Sequence, residues 1–337
     1  MRRVGHVFSQ VVGFENLLQA AHQAARGKKM QLRVAHFIFH LESELLQIQG
    51  ELEQSNWQPG NFRIFEISEP KPRRISAADF RDRVVHHAIC KVLGPIFDKR
   101  MIFDSWACRS GKGSHRAVQR AKRFSGKYPY YLKCDIRRYF DNVDHAVLKQ
   151  LLRRILKDRP MLDVLDKIID HPLPGAAPGK GLPIGNLTSQ YFANLYLGEL
   201  DHELKDRYGI KAYLRYMDDM LVFAQDKQQL HDVLATIEHF IEVKLQLKLK
   251  PSATCIAPVT EGVPFLGFRI FPGLVRLNAQ SLRRFRRRLS LCEQEYRLGK
   301  IDVDQLAASV QSMLAHLQHA DTHRLRQSLL SSSFALG

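Results

Sequence analysis

Apolar residues recur along this chain with two different periods. Spacing of three and four residues, which lines up side chains on one face of a helix, predicts helices in several stretches. These are two helices within 14–54 broken at Gly27, one after the basic stretch that begins at 69, and others at 142–156, 189–208, 228–244 and from 280 onward. Thr188 or Ser189 is the predicted cap of the 189–208 helix.

Short apolar runs bounded by Gly, Pro or polar residues predict strands. They cover 61–67, after a Pro-Gly turn, then 130–135 and 263–271. The stretch AYLRYMDDMLVFAQ predicts a β-hairpin, with strands Ala212–Tyr216 and Met220–Phe223 and two aspartates at its tip. The chain therefore combines helices with antiparallel strands.

Charge narrows the choice of partner. The 337 residues include 51 Lys and Arg against 34 Asp and Glu, for a formal net charge of +17. A chain of this length predicts two or three subdomains around a sizeable core. Its excess positive charge favours a polyanion, and nucleic acid is the expected one. Basic proteins without that role exist, so charge alone leaves the partner open.

Membrane and export signals are not indicated. The sequence contains no apolar run of about 18 residues that would span a bilayer. The N-terminal MRRVGHVFSQ is not followed by the apolar core of a signal peptide. Five scattered cysteines without a CxxC pair predict buried free thiols rather than a disulfide framework or a zinc site. We expect a soluble, cytoplasmic protein.

Three carboxylates are candidates for chemistry. Asp218 and Asp219 stand side by side between apolar runs, and Asp135 ends the strand at 130–135. Buried carboxylates repel one another, so they demand protons or a cation. Magnesium takes oxygen ligands from one or two carboxylates and completes its octahedron with water and phosphate. If the strands are neighbours, Asp135 and Asp218 converge and can hold two ions for phosphoryl transfer. A solvated turn is the alternative interpretation of adjacent aspartates.

These motifs resemble those of reverse transcriptases. YMDD between apolar strands is similar to the family's active-site hairpin, and LKCDIRRYFDNVDH to its first catalytic motif. The family's fingers loop and following helix resemble KPRRISAADFRDRVVHHAI. Its template-and-nucleotide loop resembles LPIGNLTSQYFANLYLGELD, and its primer-grip hairpin resembles FLGFRI. The five motifs occur in the family's order. WACRSGKGSHRA, IGNLTSQ and HADTHRL most resemble the reverse transcriptases of diversity-generating retroelements.

The resemblance implies roles for the acidic residues. Asp135 and Asp218 would be ligands of two Mg²⁺ ions, with the Ile136 carbonyl helping and Asp219 completing the catalytic cluster. In the two-metal mechanism one ion activates the attacking hydroxyl and the other stabilises the leaving oxygen. The reaction implied is RNA-templated DNA synthesis.

The resemblance also implies a nucleotide-binding set. Arg73, with Lys71, would contact the triphosphate of the incoming deoxynucleotide, and Phe140 would lie beneath its sugar. A ring packed against C2′ leaves no room for a hydroxyl, so Phe140 would select deoxynucleotides. The alternatives are a solvated basic loop and a plain core phenylalanine.

Two positions depart from the family pattern. Many members read LPQG where this chain reads LPIG, so Ile184, before Gly185 in the nucleotide-binding loop, replaces a glutamine that touches the nucleotide. Isoleucine cannot donate a hydrogen bond, and we expect weaker selection of the correct base, with errors at template adenines. Ala253 stands where relatives often have a lysine proposed as a general acid; Lys248 or Lys250 substitutes for it, or nothing does.

A basic helix near the C-terminus is a candidate for binding nucleic acid. SLRRFRRRLSLCEQEYRLGK places Leu282, Phe285, Leu289, Cys292 and Tyr296 on one face. The arginines around the remainder are Arg283, Arg284, Arg286, Arg287 and Arg288. By position the helix resembles the first thumb helix, which would contact phosphates of the template-primer duplex. A merely solvated basic face is the alternative.

The resemblance predicts an α+β, right-hand polymerase. We expect fingers over 1–90, a palm over 91–277 with an antiparallel sheet backed by helices, and a short helical thumb over 278–337. The predicted enzyme is an RNA-directed DNA polymerase of a diversity-generating retroelement, with a template RNA and a small basic accessory protein as partners. The alternatives are a retron, group II intron-like or antiphage-defence reverse transcriptase, and a non-catalytic RNA-binding scaffold. With no residues after 337 in this sequence to form a maturase or endonuclease domain, we expect an enzyme other than a full intron enzyme.

Overall fold

The computed structural model describes residues 3–68 and 72–333. Its helices are α1 (Phe8–Val12), α2 (Phe14–Ala25), α3 (Leu32–Phe39), α4 (Leu41–Glu53), α5 (Phe80–Asp98), α6 (Ser114–Ser125), α7 (Tyr139–Asn142), α8 (His145–Ile155), α9 (Arg159–Asp170), α10 (Leu187–His202), α11 (Lys227–Leu245), α12 (Ala279–Arg297), α13 (Val303–Leu317) and α14 (His323–Ser333). Its strands are β1 (Arg63–Ile67), β2 (Arg73–Ala77), β3 (Tyr130–Asp135), β4 (Tyr213–Tyr216), β5 (Asp219–Ala224), β6 (Cys255–Pro258), β7 (Val263–Phe265), β8 (Phe268–Phe271) and β9 (Leu274–Leu277).

The described residues fall into two compact units, each assembled from three stretches of chain. The first unit lies within Met1–Arg109, Ile136–Gly209 and Ile237–Lys250, and the second within Ser110–Asp135, Ile210–Thr236 and Pro251–Gly337. These units cut across the three consecutive segments predicted for fingers, palm and thumb, and that division stays a prediction.

The first unit is mainly helical. Helix α5 packs against α2 and α10. Its apolar residues recur every three to four positions, and Val84, Ala88 and Leu93 are fully buried. Strands β1 and β2 form an antiparallel hairpin with Arg63 opposite Ala77. All of β1 is exposed, so this hairpin projects apolar side chains such as Phe65 toward solvent.

The second unit contains two antiparallel sheets and a separate helical core. One sheet has the strand order β4-β5-β3-β6 and the other β7-β8-β9. Helix α6 packs against β4 and β8, because Ala117, Val118, Ala121 and Phe124 form a buried face at helical spacing. The C-terminal helices enclose Phe285, Leu289, Leu306, Val310 and Leu317. The α+β class with an antiparallel sheet backed by helices is confirmed.

Several predicted elements differ from the structure. The single strand predicted over 263–271 is a hairpin, because Leu266 and Gly267 adopt positive φ of 48° and 88° and turn the chain between β7 and β8. The basic stretch predicted as a loop contains β2, which pairs with β1 as an antiparallel hairpin. Where two helices were predicted within 14–54, the structure has three, namely α2, α3 and α4.

The sequence predicts buried free thiols and no membrane-spanning segment. The five cysteines, all within the described residues, form no disulfide, but Cys108 and Cys255 are exposed, so the prediction of buried thiols is wrong for those two. Among the described residues, the helices are too short or too polar for any of them to cross a bilayer.

Candidate active site

The hairpin tip between β4 and β5 carries the paired aspartates. Tyr216 pairs with Asp219, which leaves Met217 and Asp218 as the connection. Met217 has φ 56°, an uncommon value for a residue with a side chain. Arg215, which is fully buried, donates from Nη1 to the Met217 carbonyl at 2.8 Å. The turn is therefore tied to its own strand by a buried guanidinium.

Strand β3 brings the third aspartate to this hairpin. In the antiparallel ladder between β3 and β5, Asp135 lies directly opposite Asp219. Residues directly opposite in such a ladder project from the same face, with Cβ atoms about 5 Å apart. Asp135, Asp218 and Asp219 are all half-buried. The strand ending in Asp135 lies beside the hairpin, which is the condition set for Asp135 and Asp218 to converge. The catalytic role of the three residues stays a prediction.

A lysine also belongs to this site. Lys133 lies two residues before Asp135, on the same face of β3. Its Nζ lies 2.9 Å from Asp219 Oδ1 and 3.0 Å from Asp219 Oδ2. Nζ also donates to the Pro264 carbonyl in β7 at 2.9 Å. One ammonium group therefore joins the acidic hairpin to the β7-β8 hairpin.

The carboxylates can be tested against the needs of a metal ion. Among the described residues, no three or more Asp, Glu, His or Cys side chains are gathered in a group that could hold a metal. Magnesium does not require such a closed cage, since one or two carboxylates suffice when water and substrate phosphate supply the other oxygens. With Asp219 held by Lys133, the donors Asp135 and Asp218 fit that pattern.

The predicted nucleotide-binding segments meet within the first unit. The Ser76 N–H in β2 donates to the Ile184 carbonyl at 2.9 Å. The buried Asn186 accepts from the Ala78 N–H at 3.0 Å and donates to the Ser76 carbonyl at 3.2 Å. Arg73 begins the same strand and is exposed. Lys71 lies outside the described residues.

Gly185 is required by close packing. Its φ is 113°, and a Cβ built there would lie 2.7 Å from Ile75 Cγ2. Larger residues would both strain the backbone and collide with β2. Glycine therefore allows the loop that carries Ile184 to approach the strand that carries Arg73.

Phe140 joins the same assembly through its main chain. Its carbonyl accepts from the Leu182 N–H at 2.7 Å, at the start of the loop that contains Ile184. The Phe140 side chain is half-buried. The fully enclosed aromatic is its neighbour Tyr139, whose ring centroid lies 5.6 Å from that of Phe140. Phe140 is thus more accessible than a core phenylalanine, and its role as a sugar contact stays a prediction.

The segment after Asp135 is held in the first unit. Ile136 forms an antiparallel bridge with Leu249, and the Arg137 N–H donates to the Lys248 carbonyl at 2.9 Å. The Lys248 side chain is 74% exposed and lies 3.8 Å from Glu242. Whether Lys248 or Lys250 acts in place of a lysine at Ala253 stays open.

Buried titratable groups of α5 belong to the core rather than to the candidate site. Burial raises the pKa of Asp82 to about 6, although its carboxylate accepts from the Gly60 N–H at 2.8 Å. Burial also lowers the pKa of His86 to about 3, so that the imidazole stays neutral. We assign these groups no catalytic role.

The predicted thumb arginines lie on α12. Asn278 caps this helix by accepting from the Ser281 N–H at 2.7 Å. Four arginines are exposed, namely Arg283, Arg286, Arg287 and Arg288, and Arg284 is half-buried. Phe285 and Leu289 pack inward as predicted, but Tyr296 is 45% exposed, so placing it on the packing face is wrong. The tyrosine lies one residue before the end of the helix at Arg297.

Three residues of the acidic hairpin and the nucleotide-binding segments were not predicted from the sequence. Lys133 could have been found, because strand periodicity places it on the face of Asp135. Arg215 is signalled by a charge inside an otherwise apolar strand. Asn186 carries no local signal, since its partners Ser76 and Ala78 are more than a hundred residues away in sequence.

Known proteins are similar in sequence to about two thirds of this chain. A family model described as reverse transcriptase (RNA-dependent DNA polymerase) matches residues 67–270. Protein YkfC of Escherichia coli strain K12 is 26% identical over 275 residues, which cover 68% of this chain and 72% of YkfC. The group II intron-encoded protein LtrA of Lactococcus lactis is 22% identical over 298 residues, which cover 68% of this chain. The chain spans 50% of LtrA.

A solved structure of telomerase from Candida albicans, in complex with a fragment of telomeric RNA, also resembles the chain. The likeness covers 88% of this chain and 59% of that chain, at 13% identity and a TM-score of 0.47. At that level it carries no information on function.

Proposed function

The chain belongs to the reverse transcriptase family, and from this premise we propose that it copies an RNA template into DNA. The observation that carries the proposal is the register of β3 and β5, in which Asp135 faces Asp219 next to Asp218. Family membership supplies the reaction class, and the carboxylates of Asp135 and Asp218 would supply the metal ligands that phosphoryl transfer needs.

The acidic residues hold magnesium in this proposal. Asp135 and Asp218 supply the carboxylate ligands, the Ile136 carbonyl helps, and Asp219 completes the cluster. When bound, two magnesium ions lower the pKa of the primer 3′-hydroxyl and stabilise charge on the leaving oxygen. The 3′-hydroxyl gives up its proton to water and its oxygen forms a bond to the α-phosphorus of the nucleotide, the bond to the bridging oxygen breaks, and pyrophosphate leaves with that electron pair.

The nucleotide-binding set positions the substrate. Arg73, with Lys71, pairs with the triphosphate, since guanidinium and ammonium groups form charge-assisted hydrogen bonds to phosphate. Phe140 lies against the sugar and excludes a 2′-hydroxyl. Ile184 and Gly185 line the base-pairing side. The hydrogen bonds between β2 and the loop at 182–186 support this grouping within the first unit.

We further propose that the enzyme serves a diversity-generating retroelement. The support is the set of motifs WACRSGKGSHRA, IGNLTSQ and HADTHRL, together with Ile184 in place of glutamine. The template is then an RNA transcribed from the element, the substrates are deoxynucleoside triphosphates, and a small basic accessory protein is a cytoplasmic partner. Two near-identical DNA repeats flanking the gene and differing mainly at adenines are the expected genomic signature.

An intron-associated reverse transcriptase is the second candidate. It is favoured by the similarity to LtrA, although the chain spans 50% of that protein. A short structured RNA gene beside the coding sequence, without adenine-divergent repeats, would instead favour a retron. A non-catalytic RNA-binding scaffold is disfavoured because clustered carboxylates repel RNA phosphates.

Primer extension tests the central proposal. Purified protein is given an RNA template, an annealed DNA primer, deoxynucleotides and Mg²⁺, with and without the accessory protein. We expect metal-dependent extension that falls by about a hundredfold or more in Asp218→Asn, because a catalytic ion contributes several kcal/mol to transition-state stabilisation.

Asp232→Asn is the matched control. Asp232 is exposed on α11, and this substitution also removes one negative charge. Its extension rate should equal that of the wild type. Undiminished extension by Asp218→Asn would refute the metal centre, and no extension by wild-type protein under any condition would favour the scaffold.

A further inference from the structure

The catalytic sheet contains an ion pair that the family resemblance does not assign. Both carboxylate oxygens of Asp219 lie within 3.0 Å of Lys133 Nζ. The Lys133 side chain is 17% exposed and the Asp219 side chain 21%. Pairs that are mostly shielded from water interact more strongly than surface pairs, whose contribution is often negligible. The contact is therefore expected to influence the charge of the site.

The same ammonium group has a second partner. Lys133 Nζ donates to the Pro264 carbonyl at 2.9 Å, and it lies 6.0 Å from the centroid of the Phe265 ring. Strand β7 is at the edge of its sheet, where outward-facing carbonyls need donors from elsewhere. Lys133 supplies such a donor, so β7 is fastened to β3 and β5 through one side chain.

We propose that Lys133 is a positioning residue of the polymerase, which neutralises Asp219 and fastens β7 to the acidic hairpin. The Lys133 ammonium group offsets the charge of the Asp219 carboxylate, which it contacts directly. Asp219 then acts on the metal site through its contact with Lys133. The proposal rests on the proposed function, because it concerns the same metal centre.

The proposal predicts opposite changes in metal affinity and catalysis. Without the ammonium group, the Asp219 carboxylate loses a positive charge that lies within 3.0 Å of both its oxygens, so it attracts divalent cations more strongly. The extra ligand also competes for the ion's coordination positions, and β7 loses its attachment. Tighter metal binding should therefore accompany slower extension and a raised KM for the template-primer duplex.

The primary measurement is a titration of the full-length protein with Mn²⁺, followed by electron paramagnetic resonance without nucleotide or nucleic acid. Lys133→Met removes the charge and keeps a chain of similar length. We expect Mn²⁺ to bind about tenfold more tightly to Lys133→Met than to wild type, and extension at saturating Mg²⁺ to be about tenfold slower.

Lys227→Met is the matched control. Lys227 begins α11, and its Nζ lies 5.5 Å from the ring centroid of Tyr130, at the opposite end of β3 from Asp135. This substitution removes the same charge from the same unit, and its Mn²⁺ affinity and extension should match the wild type. Lys133→Arg, which keeps the charge, should retain near-normal Mn²⁺ affinity.

The double variant Lys133→Met/Asp219→Asn separates charge from folding. It removes both members of the pair, so Mn²⁺ affinity should return toward the wild-type value, and the two substitutions should be strongly non-additive. If Lys133→Met does not fold, as judged by circular dichroism, then Lys133→Arg and the double variant still test the charge argument.

The possible outcomes distinguish the two proposals. Unchanged or weaker Mn²⁺ binding in Lys133→Met, while Asp218→Asn still abolishes binding, would overturn the role of Lys133 and leave the polymerase proposal standing. If Asp218→Asn leaves Mn²⁺ binding unchanged in the otherwise wild-type protein, the metal centre itself is refuted. Tighter binding in Lys133→Met that Asp219→Asn reverses supports the positioning role.

Discussion

The main chain around Ile184 is held in place by a hydrogen bond and by close packing. Its carbonyl is held by the Ser76 N–H, and the next residue, Gly185, allows the loop to lie against Ile75. The loop is thus positioned by backbone contacts that do not involve the Ile184 side chain. In the proposed nucleotide-binding role, a substitution there would change the side chain presented to the nucleotide while the surrounding hydrogen bonds persist.

Replacing Ile184 with Gln should therefore lower the error frequency. A glutamine amide can donate to the nucleotide, and one hydrogen bond contributes about 1 kcal/mol, which corresponds to a several-fold change. We expect misincorporation opposite template adenines to fall several-fold when the cDNA is sequenced. Val243→Gln, at a 57% exposed position on α11, is the control. An unchanged adenine error frequency would remove Ile184 as the explanation.

At the scale of elements, the contact between β2 and the loop before α10 depends on Asn186. Thr188 and Ser189 were predicted to cap α10, but the residue at the N-cap position is Asn186. Its side chain does not cap the helix, and instead it bridges the Ser76 carbonyl and the Ala78 N–H. The prediction of Thr188 or Ser189 as the cap is wrong because α10 begins at Leu187, so both residues lie inside its first turn.

Asn186→Ala should destabilise the protein by about 1–3 kcal/mol, since it leaves a buried N–H and a buried carbonyl without their amide partner. Urea unfolding should show a lower midpoint with an unchanged dependence on denaturant concentration. The exposed Asn56, which bonds to Gln54, serves as the control through Asn56→Ala. Equal midpoints for Asn186→Ala and the wild type would contradict the bridging role.

At the scale of the whole molecule, the formal charge of +17 and the exposed arginines of α12 point to a nucleic-acid partner. Proteins that neutralise phosphates release counterions, so their affinity falls as salt rises. Contacts of this kind do not read bases. The polymerase proposal needs such contacts, since an enzyme that copies a template must hold many different sequences.

Replacing Arg283 and Arg286 with Gln should weaken binding of an RNA/DNA duplex and reduce its salt dependence. Each lost phosphate contact lowers the slope of log K against log salt by about 0.9, so we expect a decrease of about 1–2. Fluorescence anisotropy of a labelled duplex at several salt concentrations provides the slope. Arg207→Gln is the control, because Arg207 is paired with Glu203 at 2.7 Å. A slope equal to the wild-type value would indicate a merely solvated basic face.

The sequence predicted the local elements that have strong periodicity. Strand 130–135, the hairpin around Asp218 and helices α8, α10 and α11 were all found, because apolar spacing records the buried face of each element. The family and the enzyme class, an RNA-directed DNA polymerase, are confirmed, because the motifs that carry them are contiguous in sequence. Strand β2 was missed, since it begins with two exposed arginines and its buried residue is the polar Ser76, so apolar spacing does not record its buried face.

What the sequence determined by itself was therefore the class of enzyme, the carboxylates and the elements that hold them, all encoded in short contiguous stretches. Only the tertiary structure decided that Asp135 lies opposite Asp219 and that Lys133 donates hydrogen bonds to Asp219 and to the Pro264 carbonyl. It also decided that Asn186 joins β2 to the loop of Ile184. These pairings join segments about a hundred residues apart. They depend on strand register and on the way the chain packs, which no local pattern of residues specifies.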